Sequence, residues 1–253
     1  MTLAPSLVTI PCLKDNYAFL FRTGDRVAVV DVPEAGPILA ALEERGWSLT
    51  DILLTHHHWD HVDGVADLVD ATGAKVWGNA EDAARLPPLD HPIRPGETIR
   101  LGDDEAQVWD VSGHTIGHIA YVFDDVAFTG DSLMAAGCGR LFEGTPGRMH
   151  ESLSQFAALS DAVLIASGHE YTASNLAFAA TLEPGNPALN SRAAEVAALN
   201  AEGAPSVPST LGEERSTNPF LRSHVDAIKA ATGTIGKSDA DTFAAARRAK
   251  DAF

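Results

Sequence analysis

The sequence predicts an α/β (α+β) fold in which strands and helices alternate over residues 1–170 and helices alone follow over residues 171–253. Three features carry this reading. Apolar runs of strand length alternate with stretches of helical period in the first part. Polar segments bearing histidine or aspartate follow several of those runs, as loops leaving a sheet edge do. Past Tyr171 the pattern turns Ala-rich and helical, broken only by Pro and Gly.

Taken in order, strand-like runs occupy 7–10, 18–21, 27–30, 52–54, 75–77, 106–111, 119–123, 125–127 and 162–166, each short and rich in branched or aromatic residues. The early ones read as hairpins and the later ones as strand–helix units, a sandwich of sheets flanked by helices. Helical period appears at 37–45, from 62 to 69 and at 151–159. In the C-terminal part it covers 172–181, 188–199, 225–231 and 239–251, with breaks at Pro184-Gly185, 203–208 and Gly233. Ser238-Asp239-Ala240-Asp241 has the form of a capping box, with Asp in place of the usual Glu, and starts the last helix. On that helix Arg247 and Lys250 share a face and Arg248 points elsewhere.

A chain of 253 residues with 45% hydrophobic content is long enough for one large domain or a domain with an appendage. No apolar stretch approaches the roughly 20 residues a bilayer requires, and residues 1–13 lack the basic start and long apolar segment of a leader; a cytoplasmic location without membrane contact is expected. Cys12 and Cys138 are the only cysteines, too few for a disulfide framework or a zinc finger, and Cys138 reads as a small buried residue in a Gly-rich turn. The net charge of −17 excludes a nucleic-acid backbone as the main partner. Residues 215–253, just past Glu213 and Glu214, carry seven Lys or Arg against four Asp or Glu, so a small anionic ligand would find its cations there. Gly137-Cys138-Gly139 lacks the third glycine of a dinucleotide fingerprint, and no Gly-x-Ser-x-Gly elbow occurs, so the nucleophile comes from elsewhere.

The segment Thr55-His56-His57-His58-Trp59-Asp60-His61 places five electron-pair donors in seven residues. Strand alternation points His56 and His58 one way and His57 the other. Asp60 and His61 precede the helix start near Val62 and can swing toward the same point. One all-imidazole pair and one mixed pair suit two adjacent divalent ions better than one. Ser112-Gly113-His114, Thr129-Gly130-Asp131 and Ser167-Gly168-His169 add three donors on loops beside glycine. The full set is His56, His58, His61, His114 and His169 with Asp60 and Asp131; without thiolate it suits zinc, iron or manganese.

In order, Thr-His-x-His-x-Asp-His, Ser-Gly-His-Thr, Thr-Gly-Asp and Gly-His resemble the metallo-β-lactamase superfamily. More narrowly, the chain is similar to the glyoxalase II (hydroxyacylglutathione hydrolase) family. That likeness rests on Leu13-Lys14-Asp15-Asn16-Tyr17, Ala136-Gly137-Cys138-Gly139-Arg140, Phe142-Glu143-Gly144-Thr145, His169-Glu170-Tyr171-Thr172, Leu182-Glu183-Pro184-Gly185-Asn186, Thr217-Asn218-Pro219-Phe220-Leu221-Arg222 and Arg247-Arg248-Ala249-Lys250-Asp251. The resemblance implies a four-layer αββα sandwich with metals at one edge, a catalytic domain over 1–170 and a helical substrate-binding subdomain over 171–253.

It further implies two metal ions per chain, zinc foremost, with iron or manganese as alternatives. His56, His58 and His114 would hold one, Asp60, His61 and His169 the other, with Asp131 bridging. A metal-bridging hydroxide would attack a thioester, with Asp60 and Asp131 as its catalytic carboxylates and a metal stabilising the oxyanion. The implied substrate is S-D-lactoylglutathione, a 2-hydroxyacylglutathione, cleaved to glutathione and D-lactate. A thiolate leaving group needs no strong general acid. The substrate-binding positions fall on Arg140, Phe142, Tyr171, Arg247 and Lys250, and the chain departs from the family where Arg140 replaces Lys and Phe142 replaces Tyr. His57, His118, Asp31 and Thr55 are candidates for orienting the metal ligands. Rival readings are a single-iron glutathione persulfide dioxygenase of the same superfamily and a non-catalytic, metal-dependent module binding glutathione conjugates. The expected partner is a small-molecule glutathione thioester, taken by a monomer.

Overall fold

Phe21 and Phe128 stack with ring centroids 5.2 Å apart, and through them two β-sheets of one compact unit meet face to face. In the computed structural model, which describes residue 3 and residues 6–253, the chain forms two compact units, each drawn from several segments. The expected leader-free start falls partly on residues 1, 2, 4 and 5, outside the described residues.

The first unit takes residues up to 110 together with 117–130 and 166–169. Its elements are β1 (Val8–Cys12), β2 (Asn16–Thr23), β3 (Arg26–Val30), α1 (Ala35–Arg45), β4 (Asp51–Leu53), α2 (Trp59–Val62), α3 (Val65–Thr72), β5 (Lys75–Asn79), β6 (His91–Ile93), β7 (Thr98–Leu101), β8 (Asp104–Asp110), β9 (Ile119–Val122) and β10 (Val126–Gly130). Strands β1 to β6 lie side by side in chain order, antiparallel as far as β3 and parallel from β3 to β6. Strands β7 to β10 form an antiparallel meander. Period-2 alternation on β2 sends Ala18 and Leu20 to one face and Phe19 and Phe21 to the other. Ala18 and Leu20 join Val29, Ile52 and Val76 beneath Ile38 and Leu42 of α1 and Leu68 of α3. Phe19 and Phe21 meet Phe123 and Phe128 across the sheets.

Strand β4 is buried along its length, as a central parallel strand must be. Its Asp51 is buried as well, and the charge is held by Arg26 at 2.6 Å and by the indole N–H of Trp77 at 2.9 Å. The helix expected from 62 to 69 is instead two, α2 and α3, split at Asp63-Gly64. Gly64 donates to Val32 O at 3.0 Å, and a Cβ there would stand 2.7 Å from Ala35 N, so the close backbone approach ends the first helix. Strands β6 and β7 were not legible, because Pro92 and Arg100 break the apolar pattern at sheet margins.

The second unit takes residues 111–116, 131–165 and 170–253. It contains β11 (Leu133–Met134), β12 (Gly137–Cys138), α4 (Pro146–Ser154), the start of β13 (Leu164–Ser167), α5 (Thr172–Leu182), α6 (Pro187–Ala201), β14 (Ser209–Thr210), α7 (Leu211–Thr217), α8 (Asp226–Ala231) and α9 (Asp239–Asp251). Strands β11 and β12 form a hairpin, and Leu164 and Ile165 pair with Thr210 and Ser209 of β14. Helix α4 begins earlier than expected. Thr145 caps it by accepting from Arg148 N at 3.2 Å, Pro146 occupies its first turn, and past Ser154 it tightens into a 3₁₀ turn. The capping box of Ser238 and Asp241 starts α9, while the polar helix α7, capped by Thr210 and Glu213, was not anticipated. Leu176 and Ala179 of α5 pack with Leu189 and Val196 of α6 against Ala136. Among the described residues no helix is long and apolar enough to cross a membrane.

Candidate metal centre

Five of the seven expected donors belong to the first unit: His56, His58, Asp60, His61 and His169. The chain leaves β4 at Leu54, whose carbonyl accepts from the Tyr121 hydroxyl at 3.0 Å, and stays extended to His58 before α2 carries Asp60 and His61. His56 Nε2 lies 3.2 Å from His58 Nδ1, whereas His57 turns away to the Asp82 carboxylate at 3.1 Å. His169 follows β13 and faces Asn16 in an isolated antiparallel bridge. Its Nε2 is 3.3 Å from His61 Nε2 and 3.4 Å from Asp60 Oδ2, and Asp60, His61 and His169 together form a donor cluster.

The ring nitrogens that face away from this point are each held. Asp31 accepts from His61 Nδ1 at 2.8 Å, and Asp15 accepts from His169 Nδ1 at 3.1 Å. Thr55 Oγ1 donates to Asp31 at 2.8 Å and lies 3.0 Å from His56 Nδ1. A carboxylate can only accept, so the proton of each partnered imidazole sits on Nδ1 and the Nε2 lone pair is turned inward. Asn16 Nδ2 donates to Asp60 O and Oδ2 at 2.9 and 3.1 Å, fixing that carboxylate. His118 stacks on His56, centroids 4.5 Å apart. Gly130 has φ +48°, and a Cβ there would stand 2.5 Å from Thr55 Oγ1, so only glycine admits this packing. Of the orienting candidates, Asp31 and Thr55 contact the imidazoles directly and His118 stacks on one. Asp15, Asn16 and Asp82 were missed, although the first two stand in the motif Leu13-Lys14-Asp15-Asn16-Tyr17.

The donor set fits divalent ions. Nitrogens about 2.0–2.1 Å from a tetrahedral ion stand roughly 3.3 Å from one another, the scale of the His61–His169 separation. Two imidazoles in such contact with lone pairs inward repel without a cation between them.

The second unit holds His114 and Asp131. His114 Nε2 lies 3.4 Å from Asp131 Oδ2, and its Nδ1 donates to Arg140 O at 2.7 Å. Ser152 on α4 donates to Ser112 O at 2.7 Å and seats the loop that carries His114. Phe142 is exposed, its ring 5.3 Å from the His114 ring in edge geometry. Tyr171 precedes α5 and is partly exposed.

The expected cations differ in their surroundings. Arg140 reaches into solvent, with Nε 3.7 Å from Asp251. Arg247 is buried; it donates to Cys138 O at 2.8 Å and to Asp251 at 2.9 Å, and stands over the Phe220 ring. Lys250 donates to Ser174 O at 3.1 Å between the Phe178 and Phe253 rings, and burial, then the nearby Arg247 charge, lower its pKa. Arg140 and Arg247 thus converge on Asp251, with Lys250 beside it. Cys138 is buried as expected, and burial pushes its thiol up to about 11.

Comparison with known proteins places these features in a family. A model described as the metallo-beta-lactamase superfamily matches residues 14–169, and one described as the hydroxyacylglutathione hydrolase C-terminus matches residues 170–253. A hydroxyacylglutathione hydrolase of Jannaschia sp. (strain CCS1) is 57% identical, covering 98% of this chain and 99% of its own length. One from Cereibacter sphaeroides (strain ATCC 17025 / ATH 2.4.3) is 58% identical over 98% of each. Among solved structures, TTHA1623 in a di-iron-bound form is 26% identical with a TM-score of 0.62, over 85% of this chain and 99% of that one.

Proposed function

We propose, since this chain belongs to the hydroxyacylglutathione hydrolase family of the metallo-beta-lactamase superfamily, that it hydrolyses S-D-lactoylglutathione and related 2-hydroxyacylglutathione thioesters to glutathione and the free acid. The observation that carries this reading is the whole-length identity to hydrolases of that name. The inward-facing donors of Asp60, His61 and His169 support its metal dependence.

Asp60, His61 and His169 would hold one divalent ion and His56, His58 and His114 a second, with Asp131 shared. Zinc is the leading candidate, with iron and manganese as alternatives, iron being supported by the di-iron form of TTHA1623. Such ions, when bound, acidify a water and supply positive charge against the developing oxyanion. The protein's own part is orientation. Asp31, Asp15 and Thr55 hold the imidazoles by Nδ1, and Asp60, held by Asn16, orients the attacking water. The glutathione thiolate departs without a strong acid.

Residues 1–170 are the catalytic domain in this reading, and residues 171–253 bind the substrate with Arg140. Arg140 and Lys250 meet the glutathione carboxylates, with Tyr171 beside them. Arg247, committed to Cys138 and Asp251, adds a fixed positive charge behind them. Phe142 offers an apolar wall where a phenol would donate a hydrogen bond. The enzyme is read as a cytoplasmic monomer.

The test is hydrolysis of S-D-lactoylglutathione by metal-analysed protein, before and after chelation, with released thiol as the readout. Chelator-sensitive release with about two metals per chain is the expected result. Metal-replete protein that releases no thiol overturns it, and oxygen uptake with glutathione persulfide at one iron per chain would replace it with a dioxygenase.

A further inference from the structure

The hairpin β11–β12 sits between two residues of the candidate site, with Asp131 two positions before it and Arg140 two positions after. Side chains from α5 and α7 take up the polar backbone groups of its turn. Asn175 Nδ2 donates to Ala135 O at 3.0 Å. Asn218 Nδ2 lies 3.0 Å from Met134 O and 2.9 Å from Gly137 O. Glu214 Oε2 accepts from Ala136 N at 2.8 Å and lies 2.9 Å from Asn218 Nδ2, so one buried carboxyl oxygen holds the turn and aligns the amide that holds the rest of it.

The turn needs that hold. Ala136 has φ +52°, a left-handed conformation that a residue with a Cβ keeps only when its surroundings dictate it. Few bonds separate it from the site. Gly139 N donates to Ser132 O, next to Asp131, at 3.1 Å; Cys138 O accepts from Arg247; and Arg140 O accepts from His114 Nδ1.

We propose that Glu214 is a positioning residue for the hydrolysis, holding the β11–β12 turn so that Asp131, His114 and Arg140 keep the arrangement the reaction uses. This rests on the hydrolase reading above. Burial pushes the Glu214 carboxyl up to about 7, against hydrogen bonds from Asn218 and Ala136 N, the nearby Ser209 hydroxyl and the charge of Arg192. Those groups face it from β14, the residue that ends its own helix α7, the turn and α6, and Arg192 is itself shared with Glu195 and Glu213. An ionised carboxylate grips N–H donors more strongly than a protonated one, so positioning tightens as pH rises through about 7.

The test compares zinc-loaded, full-length wild type with Glu214→Gln on S-D-lactoylglutathione from pH 6 to 9. The expected variant folds, keeps its metal content and its KM within about threefold, loses about tenfold or more in kcat at pH 8, and shows a rise in kcat across neutrality shallower than that of wild type, the part due to the metal-bound water alone. A variant with wild-type kcat and pH profile overturns the proposal. If Glu214→Gln does not fold, the wild-type Ala136 amide resonance decides: a shift with a midpoint near pH 7 supports the proposal, and a flat response overturns it. Wild type that cleaves no thioester defeats the hydrolase reading alone, since the amide titration still judges the link from Glu214 to the turn.

Discussion

Asp31 accepts a hydrogen bond from His61: its Oδ2 lies 2.8 Å from His61 Nδ1, and the residue holds φ +56° to present that oxygen. The same carboxylate takes the Thr55 N–H and hydroxyl, so one strained residue sets two neighbouring groups of the site.

Asp31→Asn keeps a residue that tolerates the left-handed backbone but removes the charge behind His61. Its expected effect is a loss of metal affinity of about tenfold or more, measured by chelator competition. Affinity equal to wild type would reduce Asp31 to a packing role.

Asp131→Ala removes the carboxylate assigned to both ions. Metal content should fall at both positions, and kcat/KM should drop by about a thousandfold or more, the scale of lost charge stabilisation at a reacting centre. Metal analysis and thiol release measure both, and a variant with wild-type kcat/KM would end the dinuclear reading.

Lys250→Ala should act on binding alone. Losing one charged hydrogen bond is worth about a tenfold rise in KM, with kcat much less changed. Steady-state kinetics separate the two. An equal fall in kcat with KM unchanged would place Lys250 in the chemistry.

Glu214 links stability to pH. Its folded pKa of about 7 lies above the ordinary 4.5, so between these values the folded protein binds more protons than the unfolded chain. Its contribution is full below the unfolded pKa and is lost as pH rises through the folded one, on the order of 3 kcal/mol across the window. Glu214→Gln, which cannot titrate, should therefore gain stability relative to wild type between pH 5 and 8 in urea unfolding. A stability difference independent of pH would refute the raised pKa.

Much of the site is readable from local pattern. Strand alternation alone separates His56 and His58 from His57, because side chains of an extended chain alternate whatever they later pack against. The capping box at Ser238 is equally local, and helix α9 runs over the expected 239–251. Elements whose limits depend on a distant neighbour were read less well: Gly64 divides α2 from α3 because it passes against the backbone at Glu34 and Ala35.

By itself the sequence determined the mixed fold class, the spacing of the donor residues and the family, since each is written in residue identity and short-range periodicity. Tertiary structure decided that Asp15 and Asn16 reach His169 and Asp60, that the Arg247 guanidinium is buried against Cys138 and Asp251, and that Glu214 holds a strained turn. The reason is that a buried polar group must find a partner wherever packing brings one, and that partner can lie 154 residues away, as Asp15 does from His169.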